Sequence, residues 1–140
     1  MRRRAILSLA AACLLAACAH QGAPGSVAGM AWSLQHSEGE GAKLAFGQPA
    51  SDNVLLMMTC QPRSNQVLVS MSAAQGAGET LELISGDVRN RLRGELAPAM
   101  GEGSVLVEAQ TPADTAALSR FARTGELTIA EGGRRAQLPV

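Results

Sequence analysis

His36 and Cys60 are the two side chains in the body of this sequence best suited to ligate a metal or attack an electrophile, and 24 residues separate them. His20 is the only other histidine, and Cys13 and Cys18 are the other cysteines. A zinc site needs three or four converging ligands. His20 lies in a stretch rich in Gly and Pro, and His36 and Cys60 fall on different predicted strands, so no metal site is expected. A Ser-His-Asp triad is equally short of actors, and no serine sits in the G-x-S-x-G pattern of a nucleophile elbow. Cys60 continues an apolar face made by Val54, Leu56 and Met58. A free cysteine in such a place behaves as a small hydrophobe, so burial rather than catalysis is expected of it.

The carboxylates give no stronger signal. Glu38 and Glu40 flank glycines in a turn, and Glu79 and Glu82 lie close together at the start of a run. Glycosidase chemistry would also need aromatic platforms, yet the chain has only Trp32, Phe46 and Phe121 and no tyrosine. Asp52 or Glu108 could act only by meeting a distant partner such as His36. The Gly-rich pieces at 39–41, 76–78 and 101–103 are not followed by Lys-Ser/Thr and read as hairpin turns, not phosphate loops. No cofactor is expected. One concentrated charge feature is left: Arg89, Arg91 and Arg93 share one face of a predicted strand, opposite Val88, Asn90 and Leu92. Such a row protects an outer or edge strand from aggregation, and it also offers a contact for an acidic partner or lipid headgroups.

The N-terminus carries a different kind of information. Arg2, Arg3 and Arg4 precede an apolar run of 11 residues, Ala5 to Leu15, about half the ~20 residues a membrane-spanning helix needs. That is the layout of an export signal. It ends in Leu15-Ala16-Ala17-Cys18, which resembles the lipobox of bacterial lipoproteins. The resemblance implies that residues 1–17 are removed and that Cys18 is acylated. It implies attachment to a membrane through the lipid, because two or more buried chains hold stably. Ala19, rather than Asp, after the cysteine implies the outer membrane under the sorting rule of enteric bacteria. An Ala17-x-Ala19 site for ordinary cleavage is the competing reading. A twin-arginine route lacks its fuller pattern after the Arg run.

Removal of the three signal arginines leaves nine basic against twelve acidic residues, a formal charge of −3. Such a domain has no electrostatic means of collecting phosphates, so nucleic acid is not expected as a partner. With Cys13 removed and Cys18 alkylated, Cys60 would be the sole free thiol. No intramolecular disulfide could then form.

Residues 18–29 read as a flexible tether, and residues 30–140 as a single domain. Short alternating runs fill most of it. Trp32, Leu34 and His36 begin it, and Leu44 and Phe46 follow. The run from Asn53 to Cys60 is apolar on both faces, so it is expected to be central and buried on both sides. Runs near 67–71, 81–84, 88–93, 105–109, 127–129 and 136–140 complete the set. One segment has helical punctuation: Thr111 as N-cap, Pro112 at the first position, Leu118, Phe121 and Ala122 on one face, and Gly125 as C-cap. The expected fold is mainly β: a small antiparallel sandwich or barrel of eight or nine short strands with one helix near 112–124.

The closing pattern is Pro112-Ala-Asp, then Leu118-Ser-Arg-Phe-Ala-Arg-Thr-Gly-Glu-Leu-Thr-Ile, a Gly-Gly turn, and Gln137-Leu-Pro-Val. It is similar to the C-terminal part of invasion-associated-locus-B-like periplasmic proteins, which are small and β-rich, although many of them carry cysteines that this chain lacks. Two classes of function follow. The first is a lipid-anchored, non-catalytic binding or structural module of the envelope that contacts another envelope protein. The second is a small enzyme or enzyme inhibitor presented to the periplasm. The lack of a His- or metal-centred site favours the first.

Overall fold

The computed structural model describes residues 27–140. The signal-like residues 1–17, Cys18 and the tether as far as residue 26 lie outside the described residues. Val27 and Met30 already pack against the core, so contact with the domain begins ahead of the expected boundary at residue 30.

The alternating runs become ten antiparallel strands: β1 (Ala31–Ser37), β2 (Gly41–Gly47), β3 (Val54–Cys60), β4 (Gln66–Ala74), β5 (Thr80–Ser85), β6 (Val88–Arg93), β7 (Glu95–Pro98), β8 (Ser104–Pro112), β9 (Leu127–Glu131) and β10 (Arg134–Leu138). A six-stranded sheet has the order β1-β2-β3-β4-β8-β7, and a four-stranded sheet the order β10-β9-β5-β6. The sheets are open, so the fold is a sandwich and not a closed barrel. Period-2 alternation explains the core. Phe46, Leu56, Val69 and Val107 from the larger sheet meet Leu81, Leu83, Leu127, Ile129 and Leu138 from the smaller one in one buried cluster. Each such side chain contributes roughly 1.5–3 kcal/mol relative to exposure.

Four expectations are corrected. β3 is buried on one face only: Leu56 and Met58 are buried, whereas Leu55 and Met57 are half-buried on the outer face of the larger sheet. Cys60 is exposed. It has the parity of Leu56 and Met58 but is the last residue of β3, and its row runs through His36, Ala42, Cys60, Val67 and Thr111. Val67 and Thr111 at one end of that row are buried, whereas Cys60 and His36 toward the β1 edge are exposed, so apolar alternation alone does not guarantee cover. Leu34 is likewise 70% exposed, although it shares the inward parity of buried Met58. β7 is an extra strand whose Glu-Leu-Ala-Pro run offers no alternation to read. Gly94, just before it, carries the chain from one sheet to the other. A Cβ there would lie 2.5 Å from the Glu108 carbonyl oxygen, so the crossing needs glycine.

The helix is the fourth correction. Thr111 and Pro112 belong to β8, and helix α1 runs over Ala116–Thr124, with Thr115 at the N-cap position and no side-chain cap from it. The cap comes from across the domain. Asn90 on β6 accepts a hydrogen bond from the backbone N–H of Ala117 at 2.7 Å, satisfying a donor that the helix itself cannot. Arg120 reaches Asp87 in the β5–β6 turn at 2.6 Å. Ala117 and Leu118 form the buried face, Phe121 is half-buried and Ala122 is exposed. The C-terminus is as expected: Gly125 is left-handed (φ 72°) and its N–H bonds the Phe121 carbonyl.

A stability prediction follows. Asn90→Ala is expected to cost about 1–2 kcal/mol, the worth of a lost cap or buried hydrogen bond. Asn90→Asp should retain the acceptor and add favourable charge at the helix N-terminus. Thr115→Ala should be near neutral, because the Thr115 hydroxyl is buried without a partner. Urea unfolding of the three variants checks the order; equal losses at Asn90 and Thr115 would refute the cross-domain cap.

Candidate binding surface

β6 is an edge strand of the smaller sheet, and its alternation decides what it shows to solvent. Leu92 is buried, Val88 and Asn90 are half-buried, and Arg89, Arg91 and Arg93 are exposed on the outer face. Successive outward residues on a strand stand about 7 Å apart, so the three guanidinium groups form a ladder. Register extends it across the sheet. Arg91 pairs with Glu82, Glu82 with Ala130, and Ala130 with Arg135, so one row crosses all four strands with an arginine at each end.

Glu82 is the carboxylate within this row, and its Oε2 lies 3.7 Å from Arg89. Among the described residues, Arg91, Arg93 and Arg135 form no ion pair. A depression of about 260 Å³ lies between Arg91 and Arg135, with Thr80, Glu82, Ala130 and Glu131 also lining it. Glu131 is buried and structural, its Oε1 accepting the Gly78 N–H at 2.9 Å. Arg93, at the other end of the ladder, opens onto a groove of about 580 Å³ along β7 and β8, lined also by Glu95, Glu108, Gln110 and Leu68. The surface can hold anionic groups at spaced points.

The other sequence candidates do not converge. His36 pairs with Ala42 at one end of β2, whereas Asp52 follows Gly47 at the other end. Five residues of strand place them about 17 Å apart along β2. Glu108 is engaged by the Ser70 hydroxyl, which donates to its Oε1 at 2.9 Å. Glu38 and Glu40 sit in the β1–β2 turn. Lys43 donates to Glu40 at 2.9 Å, and this hydrogen bond, with the adjacent positive charge, holds the Glu40 carboxyl below the usual range. Among the described residues, no group of three His, Cys, Asp or Glu side chains could hold a metal, and no helix is long and apolar enough to cross a membrane. Cys18 lies outside the described residues.

Sequence reasoning placed the Arg89, Arg91 and Arg93 ladder but missed Arg135, because only strand register brings β10 into line with β6. The chain matches no model of a known protein family, no curated protein and no solved structure.

Proposed function

We propose that this chain is a lipid-anchored, non-catalytic binding module of the bacterial envelope, tethered through Cys18 to the outer membrane and facing the periplasm. In this reading the arginine face of the smaller sheet takes an acidic segment of another envelope protein. The observation that carries it is the ladder of Arg89, Arg91 and Arg93, exposed on one edge strand and, among the described residues, left without ion pairs at Arg91 and Arg93. Three arginines in line, joined by Arg135, make a surface with spare binding capacity. The lipobox-like residues and the short apolar run supply the anchor.

Exposed ion pairs contribute about 0.2–1 kcal/mol each. Neutralising three arginines should therefore weaken such a contact roughly 3- to 140-fold, and the contact should weaken with salt. The test uses the full chain in intact envelopes, with a photo-crosslinking residue at Thr80 beside Arg93. The expected result is one adduct with an acidic protein, lost on Arg89, Arg91 and Arg93→Ser and at high salt. An adduct unaffected by both changes would refute the arginine face. Continued incorporation of labelled fatty acid in Cys18→Ser would refute the anchor.

A further inference from the structure

Two open sheets have four edges, and each exposed edge presents unpaired N–H and C=O groups that can template another strand. Three of the four edges here carry recognised protection. β6 has its three arginines. β10 begins with Arg134 and Arg135 and is followed by Pro139. β7 is four residues long, opens with Glu95 and ends in Pro98. β1 differs. Ala-Trp-Ser-Leu-Gln-His-Ser has no Lys, Arg, Asp, Glu or Pro over seven residues, and its pairing with β2 is continuous with no bulge. Among the described residues, no strand pairs with its outer side. At its centre Leu34 is 70% exposed, a large apolar side chain at the rim of an otherwise apolar row.

We infer that β1 is a self-association edge, pairing antiparallel with β1 of a second copy about a two-fold axis at Leu34. The strand's own sequence points to a second copy as the occupant. With the axis at Leu34, Leu34 meets Leu34, Ser33 meets Gln35, Trp32 meets His36 and Ala31 meets Ser37. No charged pair is opposed, and no proline removes a ladder donor. Leu34, Leu44, Met58, Val69 and Ala109 lie in register on one face. Pairing joins two such rows end to end through the two leucines, and the exposed Leu34 gains the neighbour it lacks. The contact is isologous and closes at two copies, because the other three edges resist addition.

The pairing can be trapped. Directly opposed residues in an antiparallel pair have Cα atoms about 4.5–5.5 Å apart, within disulfide range. The full chain with Leu34→Cys in a Cys60→Ser background, treated with a mild soluble oxidant, should run mainly as a disulfide-linked dimer. Ser37→Cys alone should not, because in this register two such residues lie about 20 Å apart. Ser37→Cys expressed together with Ala31→Cys should give the mixed dimer. Leu34→Lys should shift the untreated protein to monomer in sedimentation. Leu34→Cys dimer no stronger than in the Cys60→Ser parent would overturn the inference. So would equal trapping at positions 34 and 37, or an adduct of another mass. Cover of position 34 by the chain's own N-terminal segment would show up as the first of these.

Discussion

Phe46→Ala should cost about 3–5 kcal/mol, the usual loss for truncating a buried phenylalanine, against a total of about 5–15 kcal/mol for a domain. Phe46 is fully buried. Its ring meets Trp32 edge-on with centroids 5.1 Å apart, and Trp32 meets Phe121 of the helix at 5.3 Å. The chain has no other aromatic residue, and these three form one cluster that ties β1, β2 and α1 together. Cys60 is unpaired, so no cross-link among the described residues offsets the loss. Trp32, the single tryptophan, reports the transition by its emission in urea. The midpoint should fall strongly with an unchanged slope. Phe121→Ala should cost less, because Phe121 keeps part of its ring in solvent. A Phe46 variant losing less than about 1 kcal/mol, or less than the Phe121 variant, would contradict the cluster's role.

The aromatic cluster also shows what the sequence could and could not convey. Period-2 alternation identified the inward faces of β2, β4, β6 and β8, where Phe46, Val69, Met71, Leu92, Val107 and Ala109 are buried. It misled at Cys60, where the same alternation continues to a strand end that is left exposed, and Leu34, of the same inward parity, is exposed too. Alternation gives the face of a strand, not the extent of the sheet above it. The helix start failed for a related reason. Thr111-Pro112-Ala-Asp has the local grammar of an N-terminus, but β8 takes Thr111 and Pro112 through pairing with Val67 and Gln66. Tertiary pairing outweighed a cap worth about 1 kcal/mol. Asn90, a polar residue facing inward between Val88 and Leu92, was the available clue that a buried donor required an acceptor. The arginine ladder was legible because β6 is exposed along its whole outer face. Arg135 was not, since its place in the same cross-strand row as Arg91 depends on register through two intervening strands.

Gly41→Ala is expected to release β1 from the domain. Gly41 closes the β1–β2 hairpin with φ +85°, and a Cβ there would fall onto the carbonyl oxygen of Cys60 and lie 2.9 Å from Cδ of Pro62. The carbonyl cannot easily retreat, because Cys60 sits in register with Ala42 on one side and Val67 on the other. Left-handed backbone costs a residue with a side chain about 1–2 kcal/mol, and overpacking adds about 1–3 kcal/mol. Gly39 separates the two terms. Its φ is +83° but a Cβ there meets nothing within 4 Å, so Gly39→Ala should cost only the backbone term. β1 pairs with β2 alone among the described residues, so the Gly41 variant should relieve its strain by local opening rather than global unfolding. Amide exchange should quicken over residues 31–37 and Trp32 emission should shift to the red, while β4, β5 and β8 stay protected. Trapping of Leu34→Cys as a dimer should then fall in the Gly41→Ala background and persist with Gly39→Ala, since a strand that has left its sheet cannot present an ordered edge. Equal exchange in the two glycine variants would show that the contact at Gly41 does not hold the hairpin.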